Sequence, residues 1–414
     1  MSAVKAPAGG SRLLECDVVV IGGGMVGLSL AAALAGAGVA TVVIEPEVSA
    51  VVVSADFDGR ASAIATGSKI VLETSGAWRG MQPDAEAIRD IRVTDGASRL
   101  FLHYDHRELG GGPLGHMVEN RIIRRALIER LAGLDDAVVL DGRRVTALER
   151  DGAWAEVSLD DGTRVRAPLA VAADGRNSPT RRGAGLTVTE WRYSQTGIVC
   201  TVAHERPHDG VAQEHFLPAG PFAILPMTGN RSSIVWTEHA ELAPRLMALD
   251  GDGFAEELML RFGDYLGAIE VTGPRFSHPL GLLHAHGYVK PRLALIGDAA
   301  HAMHPIAGQG FNIALRDVAA LAEVVVDSLR LGLDPGALVS LERYQRWRRF
   351  DNSVMLAVTD GLNRLFSNDL APVRLARDIG LAAVNNAPSV KRLFMRHAMG
   401  LAGDLPRLMR NEPL

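Results

Sequence analysis

Gly22, Gly24 and Gly27 stand in the order G-x-G-x-x-G. Such a trio lets a strand turn tightly into a helix, lets the backbone approach a pyrophosphate, and lets the helix lie close on the strand. The phosphates then meet the unpaired N–H groups and the positive end of the helix. Glu45 follows 23 residues after Gly22, where a carboxylate can accept from both hydroxyls of a ribose and would repel a 2′-phosphate. A bare glycine trio is weak evidence. Here an apolar run at 16–21 precedes it, an Ala/Leu-rich stretch at 28–38 follows, and a second apolar run at 39–44 ends on Glu45. Strand, glycines, helix, strand and acid in that order specify a dinucleotide site, without separating NAD from FAD.

Two more segments bring acids to the ends of apolar runs. RLALI at 292–296 leads into Gly297-Asp298, then His301, His304-Pro305 and Gly308-Gln309-Gly310-Phe311-Asn312. In open sheets ligands bind at the carboxyl ends of strands. An Asp there can take ligand hydroxyls. A helix starting within the glycines offers N–H groups to an anion or to charge developing on a reduced isoalloxazine. His301 and His304 also read as cap or packing residues. The third segment, LAVAADGRNS at 169–178 with Arg181 close by, carries Asp174; alone, it also describes a simple Asp-Gly turn.

The three segments together resemble the flavoprotein hydroxylases whose best-known member is p-hydroxybenzoate hydroxylase. That resemblance implies FAD. Gly22, Gly24, Gly27 and Glu45 would hold its AMP half, Asp174 would support the pyrophosphate and reductant region, and Gly297-Asp298 would take the ribitol. Pro305 and the stretch Gly308, Gln309, Gly310, Phe311 and Asn312 would lie along the flavin. A narrower resemblance, to the ubiquinone-biosynthesis hydroxylases, rests on DGRASAI at 58–64, Gly76-Ala77-Trp78, HPIAGQGFNIALRDV at 304–318 and the ending from Lys391 to Pro406. It covers nearly the whole chain and brings Arg60 and Asn120 near FAD; Asn120 also reads as a helix cap.

The activity implied is hydroxylation of an aromatic ring through a flavin C4a-hydroperoxide, on a polyprenyl phenol, with NAD(P)H as reductant and O₂ as co-substrate. With a single dinucleotide fingerprint, the nicotinamide would bind transiently against the flavin. The pocket would be largely apolar, with His215, Phe216, Phe222, Leu225, Pro226, His304 and Pro305 as candidates, although each aromatic also reads as core. No residue stands out as a phenol-activating base. Two other readings remain open. One is an FAD monooxygenase of a soluble aromatic or secondary metabolite. The other is a non-catalytic FAD-binding component of a membrane-associated biosynthetic complex.

The elements that must position these residues read as α/β joined to α+β. They make a Rossmann-like FAD-binding domain (1–82, 116–183 and 289–350), an inserted β-sheet substrate domain (83–115 and 184–288) and a C-terminal helical region (351–414). Residues 62–75 read as helical, 46–60 as a surface crossing and 109–115 as a loop. The 414 residues, 47% hydrophobic and 22% charged with net charge −5, suit two or three globular domains and exclude a nucleic-acid binder. Thirteen scattered His show no metal spacing, and Cys16 and Cys200 suit buried thiols in a reducing compartment. Residues 1–12 lack the apolar core of a signal peptide, and no apolar run reaches the ~18 residues of a membrane span. Lys391, Arg392, Arg396, Arg407 and Arg410 lie among apolar residues at helical spacing. That pattern fits a helix packed on the FAD domain, or one that meets a membrane or a complex through 385–414. The protein reads as cytoplasmic, with peripheral contact on the inner face of the membrane as the further option.

Overall fold

The computed structural model describes residues 13–54, 59–96, 98, 100–368 and 371–414. Residues 1–12 and Asp58 lie outside them.

Strands with no polar side are satisfied only between two covering layers. Val18–Ile21, Thr41–Glu45, Leu169–Ala172 and Leu293–Leu295 are such strands, and they form the parallel centre of a six-stranded sheet. Ala137–Asp141 continues it in parallel on one edge, and Val289–Lys290 closes the other edge antiparallel. The helix Met25–Gly36 makes the first crossover. It is apolar all round because it touches helices Asn120–Ala132 and Gln309–Arg330 as well as Thr41–Glu45. The opposite face carries a four-stranded sheet built on the hairpin Trp154–Leu159 and Arg164–Ala167, with Leu13–Glu15 paired in parallel at its edge. Both cysteines are buried free thiols, and burial pushes each up to about 12.

The second large unit is an eight-stranded sheet. In spatial order its strands are His301–Ala302, Ile269–Ala285, Val188–His204, Arg231–His239, Gly220–Met227, Val211–Leu217, Asp90–Asp95 and Phe101–Asp105. One face packs on helix Gly251–Phe262 through Ile198, Phe222, Ile224, Trp236, Phe254 and Leu258. The other face turns toward the nucleotide half. A three-stranded sheet, Ala61–Ala65, Gly115–Glu119 and Glu86–Ile88, lies between.

Residues 61–65 correct the helical reading of 62–75. They form a strand, and the helix spans only Thr66–Thr74. Ala-Ser-Ala-Ile-Ala suits either period. The strand is decided by antiparallel pairing with Gly115–Glu119 and by Asn312, whose amide bonds both Ala63 O and Ala65 N at 2.8 Å. Residues 49–52 form one helical turn within the surface crossing. Helix Leu338–Phe366 runs unbroken through position 350, and helices Ala371–Asn385 and Pro388–Ala398 follow.

Helix Ala371–Asn385 is fastened to the large sheet by a buried ion pair. Arg377 reaches Asp95 at 2.7 and 3.1 Å, with both side chains 3% exposed or less. Arg377→Met leaves Asp95 buried without its partner. It should lower stability by about 3–5 kcal/mol in urea unfolding, because removing one partner strands the other charge. Limited proteolysis should then cut first within 371–398.

Candidate active site

The glycine turn closes as its spacing demands. Gly22 N donates to Ile44 O at 2.9 Å. A Cβ on Gly27 would stand 2.0 Å from Gly22 O, so only hydrogen allows that approach, whereas nothing lies within 4 Å of the same point on Gly24. That open side faces the start of helix Met25–Gly36, which has no side-chain cap, so its first N–H groups are left for an anion. Glu45 accepts from Gly23 N at 2.6 Å and Glu47 N at 3.1 Å, one bond on each carboxylate oxygen. Each oxygen retains a lone pair for a ribose hydroxyl.

The two other acids meet across the strand ends. Asp174 accepts from Thr180 N through Oδ2 at 3.1 Å, while its buried Oδ1 has no partner. Arg181 bridges this segment to the Gly-Asp turn, donating to Ala299 O at 2.8 Å and to Arg176 O at 2.9 Å. Asp298 makes no hydrogen bond among the described residues, and its accessible surface opens into the cleft. Enclosure raises its pKa against the pull of His301, Arg176 and Arg60. A carboxylate held beside two guanidinium groups, with its acceptors free, suits a polyhydroxyl chain.

Gly308, in the left-handed conformation at φ +61°, caps helix Gln309–Arg330 without a side-chain bond. Asn312 is committed to structure: its amide also donates to Gly308 O at 3.0 Å, tying the helix start to Ala61–Ala65. Asn120 accepts from Ser62 Oγ at 2.7 Å, and its own N donates to Arg60 O at 3.0 Å, so it holds the same strand from the other end. Phe311 leans on the main core, Pro305 is half-buried, and Gln309 is buried beside Gly308 and Gly310. His304 is fully buried with neither ring nitrogen bonded among the described residues. Burial takes its imidazole down to about 4 against a weaker pull from Asp360, so it is neutral at physiological pH. Its ring meets Tyr193 edge-on at 5.4 Å, and Tyr193 donates to Asp360 at 2.7 Å.

The pocket candidates fall on two faces of the large sheet. Leu225 packs with Ala61, Ala63 and Ala212 on the face toward the nucleotide half. Phe222 belongs to the core under helix Gly251–Phe262. Pro226 follows on that side by alternation, and so does His215, directly opposite Phe222 and bonded to Thr94 at 2.6 Å. Phe216 faces with Leu225 and stacks on Phe366.

Sequence reasoning missed the group that anchors the Gly-Asp turn. Asp317, wholly buried, accepts from Gly297 N at 3.2 Å, pairs with His301 at 2.5 Å and Arg348 at 2.9 Å, and accepts from Asn352 at 3.1 Å. Only the apolar residues around the Arg316-Asp317 pair in that helix hinted at this. Burial pushes its carboxyl up, but His301, Arg348 and Asn352 outweigh that and bring it to about 2.

The orphaned Asp174 oxygen, the unbonded Asp298, the uncapped helix start and the space beside Gly24 fit an extended dinucleotide with a polyol link. Glycine turn and sheet are those of an FAD-binding domain. The chain belongs to the FAD-binding-domain family, which matches residues 15–346. It is 54% identical over 411 residues to ubiquinone hydroxylase UbiL of Rhodospirillum rubrum, covering 99% of this chain and 96% of that one. It is 35% identical to 3-demethoxyubiquinol 3-hydroxylase of Escherichia coli, covering 93% and 98%. The crystal structure of p-nitrophenol 4-monooxygenase PnpA from Pseudomonas putida superposes with a TM-score of 0.77 at 21% identity, over 94% of this chain and 99% of that one.

Asp317 is ionised in both folded and unfolded chains above about pH 4, so its stabilisation is fully present there. It is lost as pH falls through about 2. Asp317→Asn should therefore be less stable than the parent above pH 4. The gap, read from urea midpoints, should narrow toward about pH 2.

Proposed function

We propose that the protein hydroxylates the ring of a hydrophobic prenylated phenol in ubiquinone biosynthesis, using FAD, O₂ and a reduced nicotinamide. The observation that carries this reading is the largely apolar face of the large sheet around Leu225, which packs with Ala61 and Ala63 on the strand beside Gly308. The near-complete match to a ubiquinone hydroxylase supports it. FAD, when bound, supplies the oxygen-activating redox chemistry. The chain's own groups divide the binding. Gly22, Gly24, Gly27 and Glu45 take the AMP half. Asp174 and Arg60 flank the pyrophosphate, and Asp298 takes the ribitol. The backbone at Gly297 and at 308–310 faces the flavin edge, with Pro305, Gln309 and Phe311 behind it. Asn120 and Asn312 act one step back, holding Ala61–Ala65. Neutral His304 can donate from one ring nitrogen and accept at the other without bringing a charge into an apolar chamber. We assign 1–82, 116–183 and 289–350 to the FAD-binding domain, 83–115 and 184–288 to the substrate domain, and the remainder to a helical cover.

The finer location rests on the C-terminal helices. No helix among the described residues is long and apolar enough to cross a membrane. Lys391, Arg407 and Arg410 are engaged by Glu108, Asp327 and Glu412, which leaves Arg392 and Arg396 beside exposed Leu393 and Phe394. We read this short basic and apolar edge as the contact with an anionic membrane or a biosynthetic complex.

Purified protein loaded with FAD should convert 2-geranylphenol, NAD(P)H and O₂ to a product carrying one added oxygen, detected by mass spectrometry. Consumption of reductant with peroxide as the sole oxygen product, across a panel of prenylated phenols, would remove the substrate assignment. Asp298→Ala should yield folded protein with much less bound FAD, read from the flavin absorbance of the purified variant. Normal FAD content would remove the ribitol role.

A further inference from the structure

Glu214 lies on strand Val211–Leu217, directly opposite Ala223 on one side and Val93 on the other. Directly paired residues point to the same side of a sheet. The row continues through Val235, Val199 and Phe276, so Glu214 is the one acid in an apolar row on the face that turns toward the nucleotide half. Ala212, two residues back on the same face, packs with Leu225 and Ala63, and a Cβ on Gly308 would stand 3.1 Å from Ala63. At the far end of the row Phe276 meets Gly59. Two residues ahead of Glu214, Phe216 stacks on Phe366. The acid thus sits on the floor of the space between the sheet, the segment around Gly308 and helix Leu338–Phe366.

Its side chain is half-buried and makes no hydrogen bond or ion pair among the described residues. The charged groups on this face are otherwise committed: Arg377 to Asp95, Arg231 to Glu119, and Tyr193 to Asp360. Glu270 and His239 share the face but are exposed at its rim, and Tyr104, His278 and His304 are the remaining titratable groups there. Burial takes Tyr104 up to about 12 and His304 down to about 4, so neither changes charge near neutrality. Burial alone lifts the Glu214 carboxyl to about 7. On the same face the Ser233 and Thr237 hydroxyls are buried and unbonded. An unpaired carboxyl in such surroundings is costly to keep, and that cost is offset when a ligand supplies a donor.

We propose that Glu214 accepts the hydrogen bond of the substrate's ring hydroxyl and so fixes which ring carbon faces the flavin. This assignment rests on the phenol reading above. The chamber selects for an apolar ring and tail, and Glu214 selects for an O–H on it. A carboxylate acceptor makes a short, charge-assisted bond with a phenol and raises electron density in the ring. Because the bond favours the ionised acid, binding pulls its proton off. Near pH 7 the protein therefore releases a fraction of a proton for each phenol bound.

The test uses the FAD-loaded oxidised enzyme without reductant, with 2-geranylphenol and its O-methyl ether as probes, titrated calorimetrically in two buffers of different ionisation enthalpy at pH 7. The parent should bind the phenol about 10-fold to 100-fold more tightly than the ether and release protons with the phenol alone. Glu214→Gln should retain FAD and lose the proton release. Glu214→Leu should bind phenol and ether equally. Unchanged discrimination in Glu214→Leu, or proton release persisting in Glu214→Gln, would overturn the role of Glu214 while leaving the phenol reading intact. A parent enzyme that neither binds nor hydroxylates 2-geranylphenol would overturn the phenol reading, and this assignment with it.

Discussion

One buried carboxylate holds the Gly-Asp turn and two long helices together. Asp317 sits in the middle of helix Gln309–Arg330 with no exposed surface, yet it gathers donors from two other, separate parts of the chain. Gly297 N and His301 bring the Gly-Asp turn. Arg348 and Asn352 bring the long helix Leu338–Phe366, and Asn352 also donates to Tyr288 at 3.3 Å. A charge so buried is tolerated only when its acceptor sites are filled by well-placed donors, and here every partner is a segment that must stand in register with the others. The turn carrying Asp298, the helix start at Gly308 and the cover helix cannot drift independently, because each would strand the same charge.

The second organising constraint is the alternation of the large sheet. A sheet with two covered faces divides each strand's residues between two unrelated tasks. Phe222, Ile224 and Trp236 build a core with helix Gly251–Phe262 and make that half a folding unit. Ala223 and Leu225, their immediate neighbours in sequence, look toward the nucleotide half, as does Glu214 across the ladder from Ala223. Structural and chemical residues are thus interleaved one by one along the same strands.

That interleaving explains what the sequence revealed and what it hid. The glycine turn was legible because its parts are local: Gly22, Gly24 and Gly27 lie within six residues of one another, with Gly22 at positive φ and Gly27 in a close approach that only glycine permits, and Gly24 leaving open space. The placement of Asp174 and Asp298 was legible for the same reason, just past the ends of apolar strands. The facing of the pocket candidates was not. Phe222 and Leu225 differ only in parity, and parity has meaning only once the register with Val211–Leu217 and Arg231–His239 is known. Asp317 was hidden for a related reason: an acid in a helix usually faces solvent, and here the donors of the Gly-Asp turn and of Leu338–Phe366 enclose it. Residues 61–65 took strand form through partners at 115–119 and 312, far along the chain.

A third constraint lies where two long strands stop pairing. Val188–His204 and Ile269–Ala285 run beside each other for most of their lengths, but the ladder is interrupted between Arg192 and Thr196. Such a break frees side chains that regular pairing would fix and redirects them. Tyr193, released there, turns its ring to His304 and its hydroxyl to Asp360. Gln195 accepts from Asn363 at 3.0 Å and donates to Ala219 O at 2.8 Å. A single irregularity in the sheet therefore touches the flavin-edge segment, the cover helix and the far hairpin at once. The same stretch thus ties the large sheet to the segment around His304 and to helix Leu338–Phe366.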